Sequence, residues 1–227
     1  MKITYYGHSC FLVNLKGVKI LFDPFITPNP IAGHIDVEAI ETDFILISHG
    51  HEDHIADVES IAKRTGAKII SNFEIISWFG SKGLENSHPL NHGGKIELSN
   101  GVHAKYVNAV HSSVLPDGTY GGNPGGWVIE SDEQSFYYSG DTALTYDMKL
   151  LGEFHKLDFA ILCIGDNFTM GIEDSVIAAD FVNVKEVIGM HYDSFGYIKI
   201  DHESAKKYYK NKGLNLTLLN INETITK

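Results

Sequence analysis

Arginine is almost missing from this chain. Arg64 is the only one in 227 residues, so paired guanidinium clamps on phosphate cannot be a recurring device, and an anion must be held by metal, lysine, histidine or backbone. Positive charge as a whole is scarce. Eighteen Lys and Arg face 29 Asp and Glu, for a formal net charge of −11 and a pI of about 5.5. Such a field repels polyanions and gives no sequence-independent grip on a phosphate backbone, which argues against long nucleic acid as a partner. Cysteine is limited to Cys10 and Cys163, each inside a strand-like apolar run, where small buried hydrophobes are expected and no disulfide framework. No run approaches eighteen apolar residues, which excludes a membrane partner of the helix-spanning kind. The chain opens on the strand-like Lys2-Ile3-Thr4-Tyr5-Tyr6, without the charged and apolar regions of a signal peptide, so the expected location is the cytoplasm. In that compartment the N-x-T sequons at Asn167, Asn215 and Asn222 carry no meaning.

What is present is ample apolar content, 43% hydrophobic and 11% aromatic. That is enough for one generous domain over residues 1–227, and no linker, repeat or low-complexity tract divides it. The pattern is α/β. A meander over Lys2–Tyr6, Cys10–Leu15 and Val18–Phe22 runs into Asp23-Pro24, and Pro24, Pro28 and Pro30 then forbid regular structure as far as Asp36. A loop of that length is expected to form a pocket wall or lid. Phe44–Ser48, apolar on both faces, reads as a strand between layers. Helices are expected over Asp57–Lys63 and Phe73–Ser81, closed by Gly66 and Gly83. Strands at Lys95–Leu98 and Val102–Val110 flank the hairpin dipeptide Asn100-Gly101, and Trp127–Glu130 and Ser135–Ser139 follow. Helices Tyr146–Phe154, Ile172–Phe181 and Asp201–Asn211 then alternate with strands Phe159–Ile164, Glu186–Met190 and Asn215–Leu219. Strand meanders in each half, with helices after them, imply two packed sheets covered by helices outside.

The chemistry concentrates in Ser48-His49-Gly50-His51-Glu52-Asp53-His54, at the end of the buried strand. His49 and His51, two apart on an extended turn, can grip one metal ion, while Asp53 and His54 open the next helix and can serve a second. Gly50 permits the sharp turn between ligands. Four side chains do not close a two-metal site, and three further apolar runs end in a ligand type: Val110 before His111, Ser139-Gly140 before Asp141, and Met190 before His191. All would emerge at C-terminal strand ends, where α/β proteins gather their sites. His8, after Gly7 at the end of the first strand, reads either as a catalytic group touching substrate or as a satisfied structural histidine. Asp23 reads either as a turn residue or as an acceptor orienting a ligand histidine. His34, His88, His92, His103, His155 and His202 are expected at the surface. The stretch Tyr120-Gly121-Gly122-Asn123-Pro124-Gly125-Gly126 lacks the Lys-Ser/Thr and the helix of a phosphate loop, and a pocket rim is the better expectation.

The H-x-H-x-D-H motif, a later lone His111, Asp141 after Ser-Gly, and the final His191 resemble the metallo-β-lactamase-fold hydrolases along essentially the whole chain. Gly7-His8-Ser9, Asp23-Pro24 and His191-Tyr192-Asp193-Ser194-Phe195 are similar to a short bacterial and archaeal group related to ascorbate-phosphate lactonase. The resemblance implies an αββα four-layer sandwich, two mixed sheets flanked by helices. It also implies two divalent metal ions, zinc first and manganese or iron next. His49, His51 and His111 would hold one ion, Asp53, His54 and His191 the other, with Asp141 bridging. Two dications against two carboxylates and one hydroxide leave a local charge of about +1, so an anionic small-molecule substrate can approach despite the acidic surface. The hydroxide is then the nucleophile, with Asp53 and His8 as the catalytic candidates around it. A homo-oligomer is a further expectation from the relatives.

Three activities compete: a dinuclear hydrolase of a small ester, lactone or phosphodiester, a nuclease of short RNA or DNA, and a non-hydrolytic metal-binding or di-iron redox protein. The charge of −11 and the single arginine oppose the nuclease. Redox relatives carry Glu where this chain has His51, and a fused flavin domain for which there is no room.

Overall fold

The computed structural model describes residues 1–227. The first half lays down β1 (Lys2–Gly7), β2 (Cys10–Leu15), β3 (Val18–Phe22) and β4 (Phe44–Leu46). The short α1 (Glu52–Ile55), α2 (Val58–Thr65), β5 (Lys68–Asn72), α3 (Phe73–Ser81) and β6 (Ser87–Leu90) complete it. The second half contains β7 (Lys95–Ser99), β8 (Val102–Asn108), β9 (Gly125–Glu130), β10 (Phe136–Tyr138), α4 (Asp147–Phe154) and β11 (Phe159–Cys163). After these come α5 (Ile172–Phe181), β12 (Glu186–Met190), α6 (His202–Asn211), β13 (Asn215–Thr217) and β14 (Thr224–Thr226). The strands form two seven-stranded mixed sheets, in the orders β14-β1-β2-β3-β4-β5-β6 and β13-β12-β11-β10-β9-β8-β7. Each half is an antiparallel meander that turns into parallel strands with helical crossovers. This is the αββα sandwich.

Side-chain alternation shows why the central strands are apolar on both faces. In β3, Ile20 and Phe22 join the core between the sheets while Leu21 joins the layer under α2 and α3. Leu46 against Ile45 in β4, and Ile70 against Ile69 in β5, split the same way. The larger core cluster takes Ile3, Tyr5 and Phe11 from the first sheet and Tyr106, Trp127 and Tyr138 from the second. The helices end as their caps dictate. Asn72 accepts from Ile75 N at the start of α3, Asp201 accepts from Ser204 N at the start of α6, and Gly66 takes φ +72° after α2.

Strand direction places the site. β1 and β3 are both antiparallel to β2, and β3 to β6 are parallel, so His8, Asp23, His49 and Asn72 all follow strands that end at one edge of the first sheet. β8 and β10 are both antiparallel to β9, and β10 to β12 are parallel, which brings His111, Asp141 and His191 to one edge of the second.

Some expectations fail for physical reasons. β5, β6 and β14 escape the sequence pattern because β5 has two consecutive isoleucines and no alternation, β6 is an edge strand carrying Pro89, and β14 is three residues long. The loop after Asp23 lines a small cavity through His34, Ile35 and Asp36 but does not line the one beside the histidine cluster. Asp57 Oδ2 accepts from Ile26 N (2.6 Å) and Thr27 N (3.0 Å), and Asp57 N donates to Pro24 O (3.0 Å), pinning the loop on α2. The glycine-rich stretch 120–126 is packed beneath the histidine motif instead of rimming a pocket. A Cβ on Gly121 would lie 2.4 Å from Ser113 Oγ, and one on Gly50 would lie 3.3 Å from Gly121 Cα. Of the six histidines expected at the surface, His34 and His202 are exposed, but the others are half-buried. His92 stacks on Tyr106, and His155 meets Glu130 at 2.7 Å. Both cysteines are free and buried.

Gly125 is the tightest of these glycines in consequence. An added Cβ would lie 2.4 Å from Tyr106 Cζ, and Tyr106 OH donates to Ser48 O at 2.6 Å, directly before the motif. Overpacking of this kind costs about 1–3 kcal/mol. Gly125→Ala should therefore lower the melting temperature by roughly 2–12 °C for a chain this size, read by calorimetry. An unchanged melting temperature would show that the Tyr106 ring yields freely.

Candidate metal centre

Ser48 anchors the motif. Its N donates to Asp23 Oδ1 (2.7 Å), its hydroxyl donates to Asp23 Oδ2 (2.6 Å), and its carbonyl accepts from Tyr106 OH and Gly125 N. The chain leaving this anchor can only turn into the seam between the sheets. Buried His49 follows, with Nδ1 2.9 Å from Ser48 Oγ. The Ser48 hydroxyl is already spent on Asp23, so it accepts from His49 Nδ1–H and leaves the Nε2 lone pair free. His49 Nε2 stands 2.9 Å from His51 Nδ1, and the His111 ring lies 5.1 Å from each of the two rings.

Asp53, His54 and His191 form the companion group. His54 Nδ1 donates to Asp23 Oδ2 (2.9 Å), turning Nε2 toward Asp141 Oδ2 at 3.3 Å. The same Asp141 oxygen lies 2.8 Å from His191 Nε2 and 3.6 Å from His111 Nε2, so this carboxylate sits between the two groups. The ligand atoms of His49, His51 and His111 lie within 4.8 Å of one another, as do those of His8, Asp53, His54 and His191, and those of His49, His54 and Asp141. All seven residues expected as ligands are thereby brought together. One of them, His191, and two residues beside the cluster, His8 and Asp23, pay in backbone strain: they take φ of 57°, 54° and 41° without being glycine.

The donor set fits divalent metal. His54 Nε2, His191 Nδ1 and Asp141 Oδ1 are buried without a hydrogen-bond partner, and the ring nitrogens His49 Nε2 and His51 Nδ1 face each other, an arrangement that suits a cation among them. Five imidazoles and two carboxylates suit zinc, and also manganese or iron. Electrostatics agree for three of the five histidines. Burial lowers the pKa of His49, His51 and His111, keeping them neutral as ligands must be. Burial opposes the charge on Asp141, yet His191 and His54 hold it well below the usual carboxylate range. Burial likewise opposes charge on His54, but Asp141 and Asp23 push its pKa well up.

His8 stands behind this cluster. It is fully buried and lies outside the lining of the adjacent cavity; Nε2 is 3.1 Å from Asp53 Oδ2 and Nδ1 is 2.6 Å from Ser194 Oγ. Burial, reinforced by His191, lowers its pKa to about 4. The ring is then neutral, with Nε2–H donating to Asp53 and Nδ1 accepting from Ser194. Burial opposes ionisation of Asp53, but this hydrogen bond wins and holds its pKa down. The cavity itself, of about 770 Å³, is lined by His51, Asp53, His111, Asp141 and His191 on the cluster side and by Phe168, Phe195 and Tyr197 opposite. A second cavity of about 590 Å³ between α5 and α6 has Asp166, Glu173, Asp174 and Asp201 in its wall, no histidine, and shares only Tyr197. Sequence reading missed Tyr138, whose OH donates to Asp23 Oδ2 at 2.7 Å, as well as Ser48 and Ser194. Nothing in the run Phe136-Tyr137-Tyr138 distinguishes the tyrosine that reaches the site from its neighbour.

A family model described as the beta-lactamase superfamily domain matches residues 2–191. The UPF0173 metal-dependent hydrolase of Flavobacterium johnsoniae is 54% identical over 225 residues, 99% of each chain. Among solved structures, the metallo hydrolase Igni18 of the archaeon Ignicoccus hospitalis aligns at 34% identity with a TM-score of 0.90, over 99% of this chain and 97% of that one. The isothiocyanate hydrolase from Delia radicum gut bacteria shares the fold at 18% identity and a TM-score of 0.83, over 100% and 99% of the two chains. Fold, site and relatives together define a metal-dependent hydrolase on an αββα scaffold. The chain belongs to the beta-lactamase superfamily, and within it to the UPF0173 metal-dependent hydrolases.

Asp23 aims His54 without lining the cavity. Asp23→Ala should weaken metal binding by roughly 10- to 100-fold, the usual effect of losing such a partner. Competition with a chromophoric chelator reads this directly, and unchanged affinity would show that His54 needs no orienting.

Proposed function

We propose that this chain is a dinuclear hydrolase of a small ester, lactone or phosphodiester. The observation that carries the reading is the convergence of seven donors from separate loops around buried, unpartnered His54 Nε2 and Asp141 Oδ1. His49, His51 and His111 would hold one ion, Asp53, His54 and His191 the other, and Asp141 would serve both. When bound, the ions supply a water acidified toward neutrality and an electrophile for the substrate's oxygen.

The chain's own residues do the rest. Asp23, with Ser48 and Tyr138, fixes the His54 ring; Ser48 fixes His49. Asp53 lines the cavity with Oδ2 engaged by His8, which leaves Oδ1 to hold the ion. His8 acts through Asp53 by keeping that carboxylate turned and ionised. No cysteine nucleophile is available, since both cysteines are buried away from the cavity. Zinc is the first choice of ion on this nitrogen-rich set. The substrate is a small molecule whose reacting end carries or develops negative charge, with no long nucleic acid involved. No helix is long and apolar enough to cross a membrane, and the proposed setting is the cytoplasm.

The decisive experiment is a panel of phosphodiesters, lactones and thioesters on protein of defined metal content. His49→Ala and Asp141→Ala should each lose turnover and metal while keeping a native near-ultraviolet spectrum. Two tightly held ions and full turnover in His49→Ala would remove the ligand assignment. For His8→Ala, turnover should fall roughly ten- to ten-thousandfold. Excess metal should restore much of it if His8 acts by positioning Asp53. Failure of metal to restore any activity would give His8 a direct role in proton transfer instead.

A further inference from the structure

We infer that the cavity selects a substrate whose non-reacting part is a flat ring without negative charge, seated on the aromatic wall of Phe168, Tyr197 and Phe195. This deepens the hydrolytic reading and rests on it for one point, that the reacting end lies at the His/Asp cluster.

The wall opposite the cluster is built of aromatic rings. Phe168 is 50% exposed and Tyr197 79% exposed, and they meet edge to face at 6.2 Å and 76°. Phe195 closes the wall behind them, half-buried, with its ring 5.4 Å from His8 and 6.1 Å from Phe25. Open aromatic faces of this kind favour a third ring, stacked or edge-on, over a chain of similar area.

Charge points the same way. No lysine or arginine lines the cavity, and of its two serines Ser194 is already engaged by His8. The nearest cation by sequence, Lys199, lines the neighbouring cavity instead. A second negative group on the substrate, away from the reacting end, would be desolvated without a partner. The remote part therefore carries no negative charge.

The wall is held rigidly, by turns that also carry the cluster. Asp166 and Asn167 are both left-handed (φ 62° and 58°), Asp166 Oδ1 accepts from Asn167 N at 2.8 Å, and Met170 N donates to Thr142 O, one residue beyond Asp141. Tyr197 stands in a 3-10 turn, Gly196–Ile198. Asp193, two residues after His191, closes that turn by donating its N to Ile198 O (2.8 Å) and accepting from Ile200 N (3.1 Å). Its other carboxylate oxygen meets His202 Nε2 at 2.6 Å. An aromatic wall fixed in this way loses little freedom when a ring packs on it.

The test is calorimetric titration of zinc-loaded protein with benzylphosphonate, cyclohexylmethylphosphonate, 4-carboxybenzylphosphonate and methylphosphonate. Benzylphosphonate should bind about tenfold or more tightly than methylphosphonate, and more tightly than its saturated and carboxylated analogues. In the Phe168→Ala/Tyr197→Ala double variant that preference should collapse while methylphosphonate affinity stays the same. Equal binding of benzyl and methyl probes, equal binding of the flat and saturated rings, or a preference that survives the double replacement each overturn the inference. Failure of the hydrolytic reading is separable: it would appear as no turnover on the substrate panel by a protein that still prefers the benzyl probe.

Discussion

One buried carboxylate ties this structure together. Asp23 accepts four hydrogen bonds, from Ser48 N on Oδ1 and from the Ser48 hydroxyl, His54 Nδ1 and Tyr138 OH on Oδ2. The donors come from the end of β4, from α1 and from β10 of the opposite sheet, so one side chain fixes the motif, a ligand and the spacing of the two layers. A fully buried carboxylate is tolerable only because its oxygens are satisfied in this way. Removal of any one donor leaves charge unanswered in the core, which is why the network behaves as a unit.

Around that unit the two sheets repeat one plan. Each has an antiparallel meander feeding parallel strands, and in each the residues that face the seam follow strands running the same way. The site therefore belongs to neither sheet. Its seven candidate ligands come from four loops, and the left-handed backbone at His8, Asp23 and His191 is local strain that the packing around it sustains.

Much of this was legible in the residues. The ligand types stand at the ends of apolar runs, and alternation in β3, β4 and β5 marks strands covered on both faces, so the layer order and the cluster can both be read from pattern. What could not be read depends on contacts between distant segments. Tyr138 reaches Asp23 only because the sheets stack, and the long proline loop is pinned by Asp57, thirty-odd residues away in sequence. His8 looked like a candidate for touching substrate because it follows a strand end; its burial behind Asp53 depends on Ser194, far along the chain. The half-buried histidines misled for a similar reason, since a polar neighbourhood in sequence says little about which ring lies under Tyr106.

The pairing of β14 with β1 has its own consequence for assembly. Lys2 faces Thr226 and Thr4 faces Thr224, so strands separated by almost the whole chain must meet to finish the first sheet. Loop closure over that span is the most costly in entropy of any strand pair here, although the cost grows only logarithmically with length. The local meanders can form without it. Until it closes, the outer edge of β1 offers unpaired backbone to any passing strand, and the threonines that β14 brings to that edge replace an adhesive border with a short, polar one.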